Sequence, residues 1–393
     1  MWDSLESVWK AANEDPTCNA LVVPIPYFDK LLDGSFGELH YEGGEYPKDV
    51  PVIDYREYNF AKRQPDIIFI HTTNRNITRY PQISNTKEET KVLLENEFNK
   101  YQDIWKMLFK KYNCTIIQNN FELPYYRLLG NNDVTMHNGK VNFINKLNLK
   151  FAEYAEKTEN FFINDINYQS ASFGLEKWSD QFYWHMYKYA LSVAAIPTLA
   201  FNVANIIKGI YGKNKKGLVL DLDNTLWGGI VGDDGVENII LGQDTSEGQV
   251  YTEFQQYLKD LKDLGVILNI NSKNNIENAI AGLNHPDGIL RPEDFIIIKS
   301  NWESKSKNMI EIAEQLNLGV DSLVFVDDNP AEREIINQHI PNVSTPLMQE
   351  PERYIETIDK SGYFEVISLS KDDRKKSEMY KENIERSFRY DIL

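Results

Sequence analysis

The sequence predicts an α/β protein, with a doubly wound parallel sheet in its second half and another α/β domain before it. Three observations carry that prediction. Short apolar runs alternate with helical stretches between Gly217 and Asp328, and strands spaced this way form parallel βαβ units. The runs are mostly apolar, as strands buried on both faces tend to be. Several end in acids or hydroxyls, at the carboxyl edge where open parallel sheets bind ligands.

Taken in order, the opening stretch places Trp2, Leu5, Val8, Trp9 and Ala12 along one helical face. Strand candidates follow at 20–28 (ALVVPIPYF), 66–71 (DIIFIH) and 114–121 (CTIIQNNF), with a helix expected between Ser84 and Tyr112. Residues 190–207 are mostly apolar and nearly long enough to span a bilayer. Pro197, Asn202 and Asn205 interrupt them, so a buried helix is expected and no membrane span. The Gly- and Lys-rich connector GIYGKNKKG (209–217) divides the chain into domains at 1–213 and 214–393. Residues 1–60 are a candidate separate segment.

The second half alternates more regularly. GLVLDLD (217–223) is a strand ending in acids, and a helix runs from Glu247 to Leu264 with Phe254, Tyr257, Leu258 and Leu261 at helical spacing. Strands are expected at 266–272, 295–299 and 322–328, with helices at Ile276–Leu283 and Lys305–Leu316. The tail from Asp372 to Arg389 reads as a charged helix carrying Tyr380, Ile384 and Phe388.

The chain has 393 residues and a formal net charge of −17, room for two to three domains at roughly 150 residues each. The acidic balance argues against nucleic acid or an anionic membrane surface as a partner, since both need cationic surface. Two cysteines, Cys18 and Cys114, supply neither a disulfide framework nor a four-thiolate zinc site. The N-terminus lacks the basic and apolar regions of a signal peptide. Together these features predict a cytoplasmic protein.

The chemistry is concentrated at strand ends. The first strand of the second half ends Asp221-Leu222-Asp223-Asn224-Thr225, the next at Ser272, and the last at Asp327-Asp328; Lys305 opens the helix in between. Carboxylates forced together repel, and burying them unpaired costs several kcal/mol. A divalent cation resolves that conflict, and hard oxygen ligands favour Mg²⁺. Asp221, Asp223, Asp327 and Asp328 are the candidate metal ligands. Lys305 and Ser272, with Thr225, are candidates to bind the oxygens of a phosphoryl group. Asp221 is the candidate nucleophile, forming an aspartyl phosphate. Asp223 is the candidate acid and base, protonating the leaving oxygen and then activating water.

LVLDLDNTLWGGIVGDDG (218–235), INSKNN (270–275), NWESKSKN (301–308) and LVFVDDNPAERE (323–334) resemble the FkbH-like branch (subfamily IIIC) of the haloacid dehalogenase superfamily. The resemblance implies a Rossmann-like core, Mg²⁺, and the roles just given, with the backbone carbonyl of Asp223 as a further ligand. It also implies a minimal cap, because only a glycine-rich flap (228–242) and a helix separate the first two motifs. The best-known enzymes of this branch take the glyceryl group of 1,3-bisphosphoglycerate, release phosphate, and load the acyl group onto the thiol of an acyl carrier protein. They carry a cysteine just before the second-motif serine, where this chain has Asn271. That departure leaves two readings open: acyl loading, or phosphatase action on a small phosphorylated metabolite. A third, a catalytically silent scaffold, keeps the acidic rim for metal-dependent assembly.

TNRNITRYP (73–81) and WSDQFYWHMYKYALS (178–192) resemble the N-terminal region of the same branch, which is related in fold to SGNH hydrolases. An esterase of that type needs a Ser at an early strand end, where this chain has Thr72, Thr73 and Asn74. It also needs Asp and His three apart, where Asp180 and His185 are five apart. A scaffold or docking role is therefore expected of this half, and His185 is expected to be structural. Residues 1–60 resemble the N-terminal part of bacterial enzymes that build cell-surface glycerophosphate polymers and lipopolysaccharide, which implies an envelope-polysaccharide context. The 22 tyrosines and seven tryptophans are expected to serve packing rather than sugar stacking.

Overall fold

Among the described residues, nine short strands organise the chain: β1 (Tyr27–Lys30), β2 (Phe36–His40), β3 (Ile67–Ile70), β4 (Thr115–Asn119), β5 (Phe161–Asn164), β6 (Gly217–Leu220), β7 (Ile267–Ser272), β8 (Phe295–Ser300) and β9 (Leu323–Val326). They are seen in a computed structural model that describes residues 6–14, 16, 19–30, 36–41, 43–59, 64–369 and 379–382. The chain divides into two units, Met1–Ala204 and Asn205–Leu393.

In the first unit, β3, β4 and β5 form a parallel sheet in that order, and β1 pairs antiparallel with β2. The helix Lys87–Lys111 begins at a capping box in which Thr86 and Glu89 satisfy each other's backbone N–H. It brings Trp105 against Phe151, Tyr154 and Phe161 at ring separations of 4.8, 4.6 and 4.7 Å. The buried indole donates to Gln118 Oε1 at 2.9 Å, so this core ring keeps its polar atom satisfied.

Four expectations need adjusting here. Residues 20–28 do not form one strand: Val22 makes a lone bridge to Val52, and β1 starts only at Tyr27. Pro24 and Pro26 lack the N–H donors a ladder requires. The strand β5 and the helix Lys140–Glu156 were not anticipated, because FFIN is too short to stand out beside a helical pattern. The apolar stretch near residue 200 becomes the helix Ile196–Ile210, and it is buried on one face only. Ala195, Leu199, Val203 and Ile206 are buried while Phe201 is exposed. Val193–Ile210 is long and apolar enough to cross a membrane, with 28% of it buried. Lastly, Trp2, Leu5 and Cys18, and all of the tail except residues 379–382, lie outside the described residues.

The second unit is a four-stranded parallel sheet in the order β8-β7-β6-β9. One face carries Leu218, Leu220 and Val326 against Phe254 and Leu258, and the other carries Val219 and Phe325 against Met309, Ile312 and Ile336. Both faces are covered, so apolar runs without alternation are what the fold requires. The chain runs from β6 to β7 and β8 on one side, then returns to β9 on the other. The reversal puts a crevice at the carboxyl ends of β6 and β9, the switch point of a doubly wound sheet. Between β6 and β7 the chain forms the short helix Val231–Asp234, a bridge of Gly228 to Ile240, and the helix Ser246–Asp263.

Candidate active site

The parallel register from Gly217↔Leu323 to Leu220↔Val326 brings the next residues of β6 and β9, Asp221 and Asp327, abreast. The Asp221 N–H still donates to Val326 O at 2.9 Å, so Asp221 leaves the sheet in strand geometry. Carboxylate atoms of Asp221, Asp327 and Asp328 lie within 4.8 Å of one another. Thr225 Oγ1 accepts from the Asp328 N–H at 3.3 Å and the Asn329 N–H donates to Asp327 Oδ1 at 2.9 Å. Arg333 Nη1 donates to the carbonyls of Asp327 and Asp328 at 2.5 and 2.7 Å, tying down the turn after β9.

Lys305 is only 3% exposed and lies between two of these acids, with Nζ 2.9 Å from Asp221 Oδ2 and 2.6 Å from Asp327 Oδ2. Burial alone would lower its pKa, but Asp221 and Asp327 outweigh that and hold it above its ordinary value. Its place at the start of the helix Lys305–Leu316 is set by Ser304, which caps the helix, and by three amides. Asn271 Nδ2 donates to Lys305 O at 2.8 Å, Asn308 Nδ2 donates to Asn271 Oδ1 at 3.1 Å, and Asn308 also bonds Asn301. Asn271 is therefore fully engaged beneath the helix terminus.

One ammonium does not balance three carboxylates. Burial first, and the charge of Asp221 second, raise the carboxyls of Asp327 and Asp328 above the usual range. Asp221 Oδ1 is buried with no hydrogen-bond partner. An orphaned carboxylate oxygen facing two further acids is the arrangement a cation completes, so the residues present fit a hard divalent metal.

Asp223 stands apart from that group. Its Oδ1 accepts from Trp227 Nε1 and the Val231 N–H, each at 3.0 Å, and its Oδ2 accepts from Asn274 Nδ2 at 3.0 Å. Burial raises its pKa while these donors oppose the shift. The intervening Asn224 adopts a left-handed conformation, φ 54°, which Asn tolerates. Trp227 reaches Asp223 because Gly282 leaves room for its ring; a Cβ at Gly282 would lie 2.7 Å from it. Ser272, at the buried end of β7, accepts from the Asn301 N–H through its carbonyl at 3.2 Å. Trp227, Asn274 and Asn308 escaped the sequence reading, which singled out Asn271 only as standing where a cysteine was expected. Trp227 and Asn274 lie within four residues of Asp223 and Ser272, a signal that was present, whereas Asn308 became visible only through its contacts.

The corresponding edge of the first unit is built differently. Thr72 Oγ1 donates to Asn119 O at 3.1 Å, and Thr73 forms a capping box with Asn76. Asp180 caps the helix Gln181–Tyr187 through bonds to the N–H groups of Phe182 and Tyr183, and His185 is exposed on that helix. Glu122 is buried and accepts from the Asn74 N–H at 3.0 Å. Burial pushes its pKa from 4.5 up to about 7, with two backbone N–H donors pulling the other way. The folded chain thus keeps a proton that the unfolded chain has lost, and stability falls as pH rises across that interval. Glu122→Gln retains an acceptor for Asn74 and should stabilise the protein by roughly 3 kcal/mol at pH 8 with little effect at pH 4. Urea denaturation at both pH values measures this, and equal gains at both would refute it.

Comparison with known proteins adds two findings. Residues 44–208 match the family model described as FkbH, N-terminal domain. A solved structure, the N-terminal part of the protein BF1531 from Bacteroides fragilis, contains a phosphatase domain complexed with Mg. It is 31% identical, with a TM-score of 0.71 over 82% of this chain and 88% of that one. No curated protein sequence matches.

Proposed function

Because the chain belongs to the FkbH-like branch of the haloacid dehalogenase superfamily, we propose that its second unit is a magnesium-dependent phosphatase acting through an aspartyl phosphate. The observation that carries this is the buried trio of Asp221, Asp327 and Asp328 around Lys305, with one oxygen of Asp221 left unpartnered. Asp221, Asp327 and Asp328, with the carbonyl of Asp223, would hold magnesium, which when bound neutralises charge on the phosphoryl oxygens.

The chain's own residues divide the remaining work. Asp221 attacks phosphorus as the ester P–O bond breaks, and Asp223 gives its proton to the departing oxygen. Asp223 then takes a proton from water as that water attacks phosphorus, releasing phosphate and restoring Asp221. Burial suits Asp223 to this task, since a raised pKa keeps a proton available to donate. Lys305, Ser272 and Thr225 hold the phosphoryl oxygens, and the Asn271–Asn308 pair fixes the backbone from which Lys305 projects.

The substrate is a small phosphorylated metabolite, and the location is cytoplasmic in this reading. Transfer of a glyceryl group from 1,3-bisphosphoglycerate to an acyl carrier protein is the finer version, and it rests on resemblance. Against it stands Asn271, an engaged amide with no thiol. The test is phosphate release from a phosphate ester by the full chain, with magnesium and after its removal by a chelator. Release that stops without magnesium and returns on its addition is expected. Magnesium binding without release under any condition would favour a scaffold.

A further inference from the structure

Exposed apolar side chains stand on or beside the segments that hold Asp223, and phosphate itself does not need them. Trp302 is 73% exposed, more than any other large hydrophobic side chain among the described residues. It is nevertheless held: its Nε1 donates to Asn275 Oδ1 at 2.9 Å, and the preceding residue, Asn301, donates from its backbone to Ser272 O at 3.2 Å. Asn275 follows Asn274, whose side chain holds Asp223. Two consecutive asparagines thus tie Asp223 and the exposed indole to one turn. Ile276 begins the next helix at 40% exposure, and Ile230, at 44%, precedes the Val231 whose N–H also donates to Asp223. Two exposed apolar side chains, Ile276 and Ile230, thus stand on the segments that hold this one carboxyl group, and Trp302 is hydrogen-bonded to the first of those segments.

We infer that Trp302 is a platform for the non-phosphate part of the substrate, and that the preferred substrates are phosphate esters whose alcohol presents an apolar or aromatic face. The inference rests on the phosphatase reading above. In that reading Asp223 protonates the alcohol oxygen, so the alcohol group must lie along the segments that hold Asp223. Those segments offer Ile276 and Ile230, with Trp302 bonded to the first of them through Asn275. An indole fixed at its edge by a hydrogen bond presents its ring face with little conformational freedom to lose on binding. A compact polyol gains nothing from such a frame, whereas a flat apolar group buries surface against it.

Calorimetry on the full-length protein with magnesium tests this, using phenylphosphonate and methylphosphonate, whose P–C bonds the enzyme does not cleave. The parent should bind phenylphosphonate about three- to tenfold more tightly. Trp302→Ala should erase that preference, leaving methylphosphonate affinity and the melting temperature unchanged, and Trp302→Phe should keep most of it. Equal affinities in the parent, or a preference that survives Trp302→Ala, would overturn the inference. Phosphate release from phenyl phosphate, measured separately, keeps the two readings apart. A parent that releases none yet prefers the phenyl ligand would defeat the phosphatase reading and leave the platform standing.

Discussion

Asp221→Asn should reduce phosphate release by roughly a thousandfold or more and should not weaken the fold. The amide matches the carboxylate in size, and its oxygen can still accept from Lys305, 2.9 Å away in the parent. What it lacks is the charge that makes Asp221 a nucleophile. That same charge helps to raise the carboxyls of Asp327 and Asp328, so removing it relieves repulsion inside a buried cluster. Without metal, the variant should therefore melt no lower than the parent, while magnesium should stabilise it less. Phosphate release together with melting temperature, each with and without magnesium, separates loss of chemistry from loss of structure. Activity retained within tenfold would exclude Asp221 as the attacking group.

Lys305→Met should do the reverse to stability. Methionine fills a similar length, but the ammonium that faces Asp221 and Asp327 is gone. Removing one partner of a buried ionic group leaves the other charge uncompensated and costs about 3–5 kcal/mol. Bound magnesium would supply positive charge to the same carboxylates, so its addition should recover much of that loss. At a hundred times its dissociation constant, binding to the folded state alone contributes about 2.7 kcal/mol. Urea denaturation in chelator and in magnesium measures both quantities. Denaturation of the variant at the parent's urea concentration, in chelator, would mean that the ammonium does not balance the carboxylates. Phosphate release should fall as well, because Lys305 is the buried cation proposed to face the phosphoryl oxygens.

How much of this was legible beforehand differs between the two units. In the second, the apolar runs that became β6 and β9 stood out because strands covered on both faces carry no alternation to blur them, and the regular spacing of βα units picked out β7 and β8 beside them. The residues at their ends were legible for the same reason: an Asp after GLVL or LVFV is conspicuous. In the first unit, Pro24 and Pro26 broke a run that otherwise read as one strand, and FFIN was too brief to separate from its surroundings. The stretch near residue 200 was read correctly as a helix, but its burial was not. Composition records how apolar a segment is, whereas Ala195, Leu199, Val203 and Ile206 are buried and Phe201 exposed because of what packs against each side.

The local order of the chain is enough to say which residue types terminate each strand and which helix Lys305 begins, since periodicity and strand-end chemistry are properties of neighbours in sequence. Strand order is not such a property. The placement of β9 beside β6 rather than β8 puts Asp327 level with Asp221, leaves one oxygen of Asp221 without a partner, and draws a buried ammonium between them. Contacts of Asn271 with Asn308, of Trp227 with Gly282, and of Trp302 with Asn275 arise from the same long-range pairing. They join segments far apart in the chain, and only closure of the sheet brings such groups within bonding distance.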